Sequence, residues 1–116
     1  MAKVLFADDQ AALYNSIPQK LRAMGHEVSV IKKAAEAYDY IKLHASEIDL
    51  LISDWSFPGE VLNGGDLLKT YRSLSASPAI AFSSSPAAKM VARDIKAEFA
   101  GKDADLAVEL AQKLLA

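Results

Sequence analysis

The sequence predicts an open, doubly wound parallel α/β sheet with helices on both faces. Three observations predict it. Five short apolar runs alternate with longer segments of helical periodicity. The first, third and fourth runs are apolar on both faces, as strands covered from two sides must be. No linker, repeat or low-complexity stretch interrupts the 116 residues, so residues 1–116 are expected to form one domain. Right-handed crossovers and short connections then favour the doubly wound arrangement.

Each element has its own signal. The first strand is read at Val4 to Ala7, and a helix follows in which Leu13, Ile17, Leu21 and Met24 recur at helical spacing. Pro18 lies within that stripe, removes a backbone donor and crowds the carbonyl near Tyr14, so a kink is expected there. Gly25 ends the helix as a left-handed residue. The second strand, Val28 to Ile31, precedes a helical stripe of Ala34, Tyr38, Ile41 and Ala45. The third, Leu50 to Ser53, precedes Leu67, Leu68, Tyr71 and Leu74. After the fourth strand, Ala79 to Ser83, the pair Ser85-Pro86 reads as a cap followed by proline at the first helical position. The fifth strand runs from Glu98 to Gly101, and the last helix begins near Asp103 with Leu106, Leu110 and Leu114 on one face.

Composition narrows the function. The chain is 52% hydrophobic with no cysteine, and a chain of this size buries roughly two-thirds of its unfolded surface, so its core needs neither disulfide nor metal. Thirteen basic and 15 acidic residues give a net charge of -2 and no broad positive field, which argues against a nucleic-acid binder. No apolar run approaches the roughly 18 residues of a membrane span. Met1-Ala2-Lys3 leads straight into a strand without the marks of a signal peptide, so a cytoplasmic location is expected.

In open parallel sheets the binding crevice lies at the carboxyl ends of the strands. There the sequence places Asp8-Asp9, Asp54, Ser83-Ser84 and Lys102. Singly, Asp9 reads equally well as a helix cap, Asp54 as a turn residue and Lys102 as a solvated lysine. Their coincidence on one rim favours a site. Two carboxylates about 4 Å apart repel by about 4 kcal/mol at a protein surface. Three therefore call for a proton or a divalent cation, and an oxygen-only set suits Mg2+. A carboxylate such as Asp54 is also a competent nucleophile toward phosphorus when nearby cations neutralise the transferring group. His26 and His44, with no carboxylate or second histidine at ligand spacing, are read as surface residues. Tyr14, Tyr38, Tyr40 and Tyr71 are read as helix packing, and Trp55 as partly exposed beside the site.

Taken together these residues resemble the receiver domain of two-component response regulators. The resemblance rests on Asp8-Asp9 after the first strand, Asp54-Trp55-Ser56-Phe57-Pro58 after the third, Gly64 before the third helix, Ser83, and Lys102 three residues after Phe99. It implies a flavodoxin-like strand order of 2-1-3-4-5, the order for which a member of this family is a standard example. It also implies that Asp54 is the phosphoacceptor, that Asp9, Asp54 and the Ser56 carbonyl hold Mg2+, and that Asp8 acts through a metal-bound water. Ser83 and Lys102 would each bind a phosphoryl oxygen, and Phe99 would repack as Ser83 moves.

The donor would be a sensor histidine kinase or a histidine phosphotransfer protein, and the output an unidentified protein target. Any catalysis would be limited to the domain's own phosphoryl transfer and slow autodephosphorylation. The chain would be a stand-alone receiver or a piece of a longer protein. The resemblance has three departures. Asp103 stands where the family usually has proline, which together with Gly101 leaves Lys102 less rigidly aimed. The fourth helix is about one turn shorter. The Gly59 to Gly65 loop is longer, with Val61-Leu62 as a candidate contact or lid. These departures motivate an alternative, a degenerate receiver that binds partners without phosphorylation. A phosphatase reading lacks two aspartates spaced by one residue after the first strand, since Asp8 and Asp9 are adjacent, and flavin and dinucleotide readings lack their loop signatures, because Asp9-Gln10-Ala11-Ala12 offers no glycine.

Overall fold

The computed structural model covers residues 1–116. Strands β1 (Lys3–Ala7), β2 (Glu27–Ile31), β3 (Leu50–Ser53), β4 (Ala79–Phe82) and β5 (Glu98–Gly101) alternate with helices α1 (Ser16–Ala23), α2 (Ala34–His44), α3 (Gly64–Leu74), α4 (Pro86–Asp94) and α5 (Ala104–Leu114). All strand pairs are parallel, in the order β2-β1-β3-β4-β5. The expected fold class and strand order both hold. No helix is long and apolar enough to cross a membrane.

Alternation along the strands divides the core between two faces. Leu5, Ala7, Leu51, Ala79 and Ala81 join Ile41, Leu67, Leu68 and Tyr71 in one cluster of 15 buried residues. Val4, Phe6, Leu50, Ile52, Ile80 and Phe82 join Ile17, Leu21, Val108 and Ala111 in a second cluster of 14. The near equality means that neither face is left to solvent. Each fully buried leucine or isoleucine contributes about 1.5–3 kcal/mol of transfer free energy.

Several local expectations need correction. Pro18 breaks the first helical segment instead of kinking it: a 3-10 turn spans Ala11–Tyr14 and α1 starts afresh at Ser16. Pro18 thereby occupies the third position of α1, where its missing N–H costs nothing because no carbonyl lies four residues back within the helix. The interruption turns Leu13 outward, leaving it 72% exposed. Met24 and Leu74 end their stripes exposed as well, each lying at a helix end beyond the sheet. In α5 the buried face is Ala107, Val108 and Ala111; Leu110 and Leu114 pack at its margin, and Leu106 is exposed. Small residues permit close approach of that helix to the sheet, and the leucines flank the contact. Strand β4 stops at Phe82, one residue earlier than expected, because the pairing of Phe82 with Gly101 is the last in its ladder.

The Gly25 cap holds as read, whereas the two histidines do not. Gly25 has φ +92°, with the Gly25 and His26 amides donating to Arg22 and Leu21 as a Schellman cap requires. His26 is more than a surface residue: its Nδ1 accepts the Ala2 N–H at 3.1 Å. His44 does have a carboxylate neighbour, Glu47, at 2.7 Å one helical turn on.

Candidate functional site

Register builds the site. Ala7 pairs with Ser53 across β1 and β3, so the next residues, Asp8 and Asp54, emerge side by side. The Asp54 N–H donates to the Ala7 carbonyl at 2.8 Å, and the Asp8 N–H to the Ile31 carbonyl at 3.1 Å. On the other side of β3, Ser53 pairs with Ala81, which sets Ser83 one step further along the same rim. The β4–β5 ladder skips Ala100, pairing Ala81 with Phe99 and then Phe82 with Gly101. That extra residue, with Gly101 at φ +61°, turns the chain so that Lys102 points back over the sheet.

The result is a compact charged cluster. Lys102 Nζ lies 2.9 Å from Asp8 Oδ2, 3.0 Å from Asp54 Oδ1 and 3.4 Å from the Phe82 carbonyl. Asp8 is wholly buried, its other oxygen accepting the Gln10 N–H at 2.8 Å. Asp54 Oδ1 also accepts the Trp55 N–H at 2.7 Å. Asp9 stands exposed on the rim, and ligand oxygens of Asp8, Asp9 and Asp54 all lie within 4.8 Å of one another.

Electrostatics reflect this crowding. Burial pushes the Asp8 carboxyl above its ordinary range, against the pull of Lys102 and the Gln10 amide. Asp9 is raised by desolvation at its carboxyl and then by the neighbouring Asp54, although the residue as a whole is exposed. One ammonium does not neutralise three carboxylates. The donor set is all oxygen and partly open to solvent, and those residues fit a hard divalent cation such as Mg2+.

Asp9, Asp54, Ser56, Ser83 and Lys102 open onto a cleft of about 400 Å³ walled by Tyr14 and Trp55. Ser83 is buried, and its Oγ accepts the Ser85 N–H at 3.0 Å. Phe99 is half-buried on β5 and packs against the first core cluster. Asp8, Asp9, Asp54, Ser56, Ser83 and Lys102 therefore lie on or beside one rim, while Phe99 sits within β5, opposite Ala81.

A family model described as the response regulator receiver domain matches residues 4–102. The chain belongs to that family. Among solved structures, the receiver domain from the hybrid histidine kinase CckA is 30% identical, with a TM-score of 0.78 over 99% of this chain and 100% of that one. Chemotaxis protein CheY4 of Vibrio cholerae is 24% identical at a TM-score of 0.78, covering 98% of each chain. The NtrX receiver domain of Brucella abortus is 23% identical at 0.79, covering 97% of each. No curated protein matches the chain.

Against its relatives' common pattern, this receiver domain was expected to hold Lys102 loosely. The structure corrects that expectation: two carboxylates, a carbonyl and a pair of aromatic rings surround the ammonium. Asp103 caps α5 instead, accepting the Leu106 N–H at 3.0 Å. The long loop is anchored too. Asn63 and Asp66 form a reciprocal capping box at the start of α3, a pattern visible in their spacing. Val61 is fully exposed, whereas Leu62 packs inward against the core.

Glu60 was not anticipated. Its two carboxylate oxygens accept the Ala34 and Ala35 amides at 2.9 and 3.1 Å, capping α2 from a loop 25 residues away. Lys33, the residue at the cap position itself, offers no side-chain acceptor. These two backbone donors hold the Glu60 carboxyl below the ordinary glutamate value. A depressed value means the tie is complete above the unfolded-state pKa and is lost as pH falls through the folded-state one. Hydrogen exchange should show Ala34 and Ala35 protected in the wild type at neutral pH, and unprotected in Glu60→Ala. The same loss should appear in the wild type under acid conditions where the fold persists.

Proposed function

We propose that residues 1–116 act as a phosphoaccepting receiver in a two-component relay, with Asp54 as the acceptor. The observation that carries this reading is the meeting of Asp8, Asp9, Asp54 and Lys102, from three separate strand ends, at the mouth of an open cleft. A phosphohistidine on a sensor histidine kinase or histidine phosphotransfer protein is the donor. An Asp54 carboxylate oxygen forms the new phosphorus–oxygen bond as the phosphorus–nitrogen bond breaks. The electron pair of the broken bond stays on the imidazole, which takes up a proton from solvent.

Asp9, Asp54 and the Ser56 carbonyl would hold Mg2+, with Asp8 acting through bound water. When bound, the ion would neutralise charge on the phosphoryl oxygens. Lys102 pairs with one phosphoryl oxygen and the Ser83 hydroxyl donates to another. A hydrogen bond to a charged group is worth about 1.5–3 kcal/mol, whereas moving an equilibrium from 1:99 to 99:1 takes about 5.5. Ser83 therefore cannot act alone. Lys102 shares the load, and Phe99, opposite Ala81 on the neighbouring strand, repacks as Ser83 shifts and transmits the change to a protein target. Autodephosphorylation is slow, and the domain works in the cytoplasm.

Incubation with Mg2+ and phosphoramidate, followed by mass spectrometry, tests the reading. The wild type should gain one phosphate mapped to Asp54, and Asp54→Asn none. Equal labelling of both proteins, or no labelling of the wild type at millimolar Mg2+, would leave the non-phosphorylated interaction module as the better account.

A further inference from the structure

Lysine has a flexible four-carbon stem ending in three rotatable donors, so carboxylates attract it without fixing its direction. In this chain two rings also face the ammonium. Lys102 Nζ lies 4.4 Å from the centroid of the Phe82 ring and 4.8 Å from that of Tyr14, both within the range of cation–π attraction. The two rings meet edge to face, with centroids 5.0 Å apart and planes at 87°, so they form two adjoining, perpendicular walls of a slot. Phe82 is the inner wall. It is fully buried and packs edge-on against Phe6 at 6.1 Å, which fixes its position. Tyr14 is the outer wall, half-buried at the edge of the cleft.

Tyr14 reaches this place because Pro18 breaks the helical segment. The 3-10 turn that results, tied by Ala11 N–H to the Asp8 carbonyl at 3.2 Å and Leu13 N–H to the Gln10 carbonyl at 2.9 Å, ends at Tyr14. The same short segment thus supplies the acidic pair and the ring that faces their cation.

We propose that Tyr14 is a positioning residue: its ring, set perpendicular to that of Phe82, holds the Lys102 ammonium between Asp8 and Asp54 in the orientation from which it meets the incoming phosphoryl group. The role in phosphorylation rests on the Asp54 reading above; the slot itself does not. Ring and hydroxyl are separable, because Tyr14→Phe keeps the wall and Tyr14→Leu removes it. Tyr14 is not part of the fully buried core, so both variants should fold, which far-ultraviolet circular dichroism checks.

Two measurements decide the matter. In the unphosphorylated protein, ring currents should displace the Lys102 ε-methylene protons from the other lysines, the resonance being assigned by its loss in Lys102→Met. Tyr14→Phe should retain that displacement and Tyr14→Leu should lose much of it. With phosphoramidate and Mg2+, Tyr14→Leu should label about fivefold more slowly, the factor expected for one lost cation–π contact, while Tyr14→Phe labels near the wild-type rate. An unchanged Lys102 resonance in Tyr14→Leu overturns the slot, and equal slowing of both variants assigns the effect to the hydroxyl and overturns the ring's role. Absence of labelling in the wild type defeats the Asp54 reading and with it the role in phosphorylation, while the resonance still judges the slot.

Discussion

Gly64→Ala is expected to destabilise the fold by about 3 kcal/mol or more, a substantial part of the 5–15 kcal/mol that holds a domain together. A methyl at this position would lie 1.8 Å from the Asp54 carbonyl oxygen and 2.6 Å from the Trp55 Cα. Both obstacles are backbone, and Gly64 N–H donates to the Trp55 carbonyl at 2.8 Å, so neither strand end nor helix start can yield alone. Two effects oppose the loss: alanine restricts the unfolded chain and favours helix, each by up to about 1 kcal/mol. The overlap must exceed their sum. Gly25→Ala is the control, since Gly25 has φ +92° with nothing within 4 Å of its added methyl, leaving only backbone strain of about 1–2 kcal/mol. Urea unfolding of the two variants should separate them clearly; equal costs would show that the close approach is tolerated. If Asp54 is the acceptor proposed above, any folded Gly64→Ala protein should also take up phosphate far more slowly, because displacing that residue by about 1 Å costs on the order of 10²-fold.

The close approach at Gly64 was legible only as a resemblance. A glycine ahead of a helix announces a turn, but the carbonyl it touches belongs to residue 54, and that contact exists only once β3 and α3 are packed. The same distinction separates what the sequence revealed from what it did not. Strand runs such as Leu50 to Ser53 and the rim residues that follow them depend on local pattern plus one topological rule, and the fold places them as read. Helix faces were read less well. In α5 the leucines drew attention by hydrophobicity, but Ala107 and Ala111 fit the narrow space above the sheet. Leu13 failed because periodicity was extended through Pro18 when the backbone was not.

Long-range polar contacts were hidden for a different reason. Glu60 caps α2 and Tyr14 walls the lysine through partners 25 and 88 positions distant in sequence, with no spacing rule to link them. A sequence pattern can show that the cap position of α2, Lys33, lacks an acceptor, and so that some other group must supply one. It cannot name the group. The expectation of a loose Lys102 erred in this way: it counted the missing proline and the added glycine, both local, and had no access to the rings.

Lys102→Met should have three effects of differing sign, and the combination identifies the ammonium as the counter-ion of the cluster. Methionine keeps an unbranched, polarizable side chain against Tyr14 and Phe82, so packing is largely preserved and the charge alone is lost. Asp8, wholly buried, then loses its cation, and removing one partner of such a pair costs about 3–5 kcal/mol. Denaturant unfolding of the metal-free protein should show a loss near the lower end, because Asp8 keeps the Gln10 amide and the rim is open at Asp9. Adding Asp8→Asn to Lys102→Met should recover part of it, with a coupling of about 1–3 kcal/mol, since an amide can be buried without a counter-charge. Affinity for Mg2+ should move the other way. An ammonium 3.0 Å from Asp54 and 2.9 Å from Asp8 competes with any divalent ion for those oxygens. Its removal should tighten Mg2+ binding by about tenfold, read from Trp55 fluorescence. On the proposed function, phosphorylation should nevertheless slow sharply, because the transferring group loses the positive charge that Lys102 would supply. If Mg2+ affinity falls along with stability, Lys102 organises the pocket mechanically and does not compete electrostatically. If labelling proceeds at the wild-type rate, the lysine belongs to the fold and not to the chemistry.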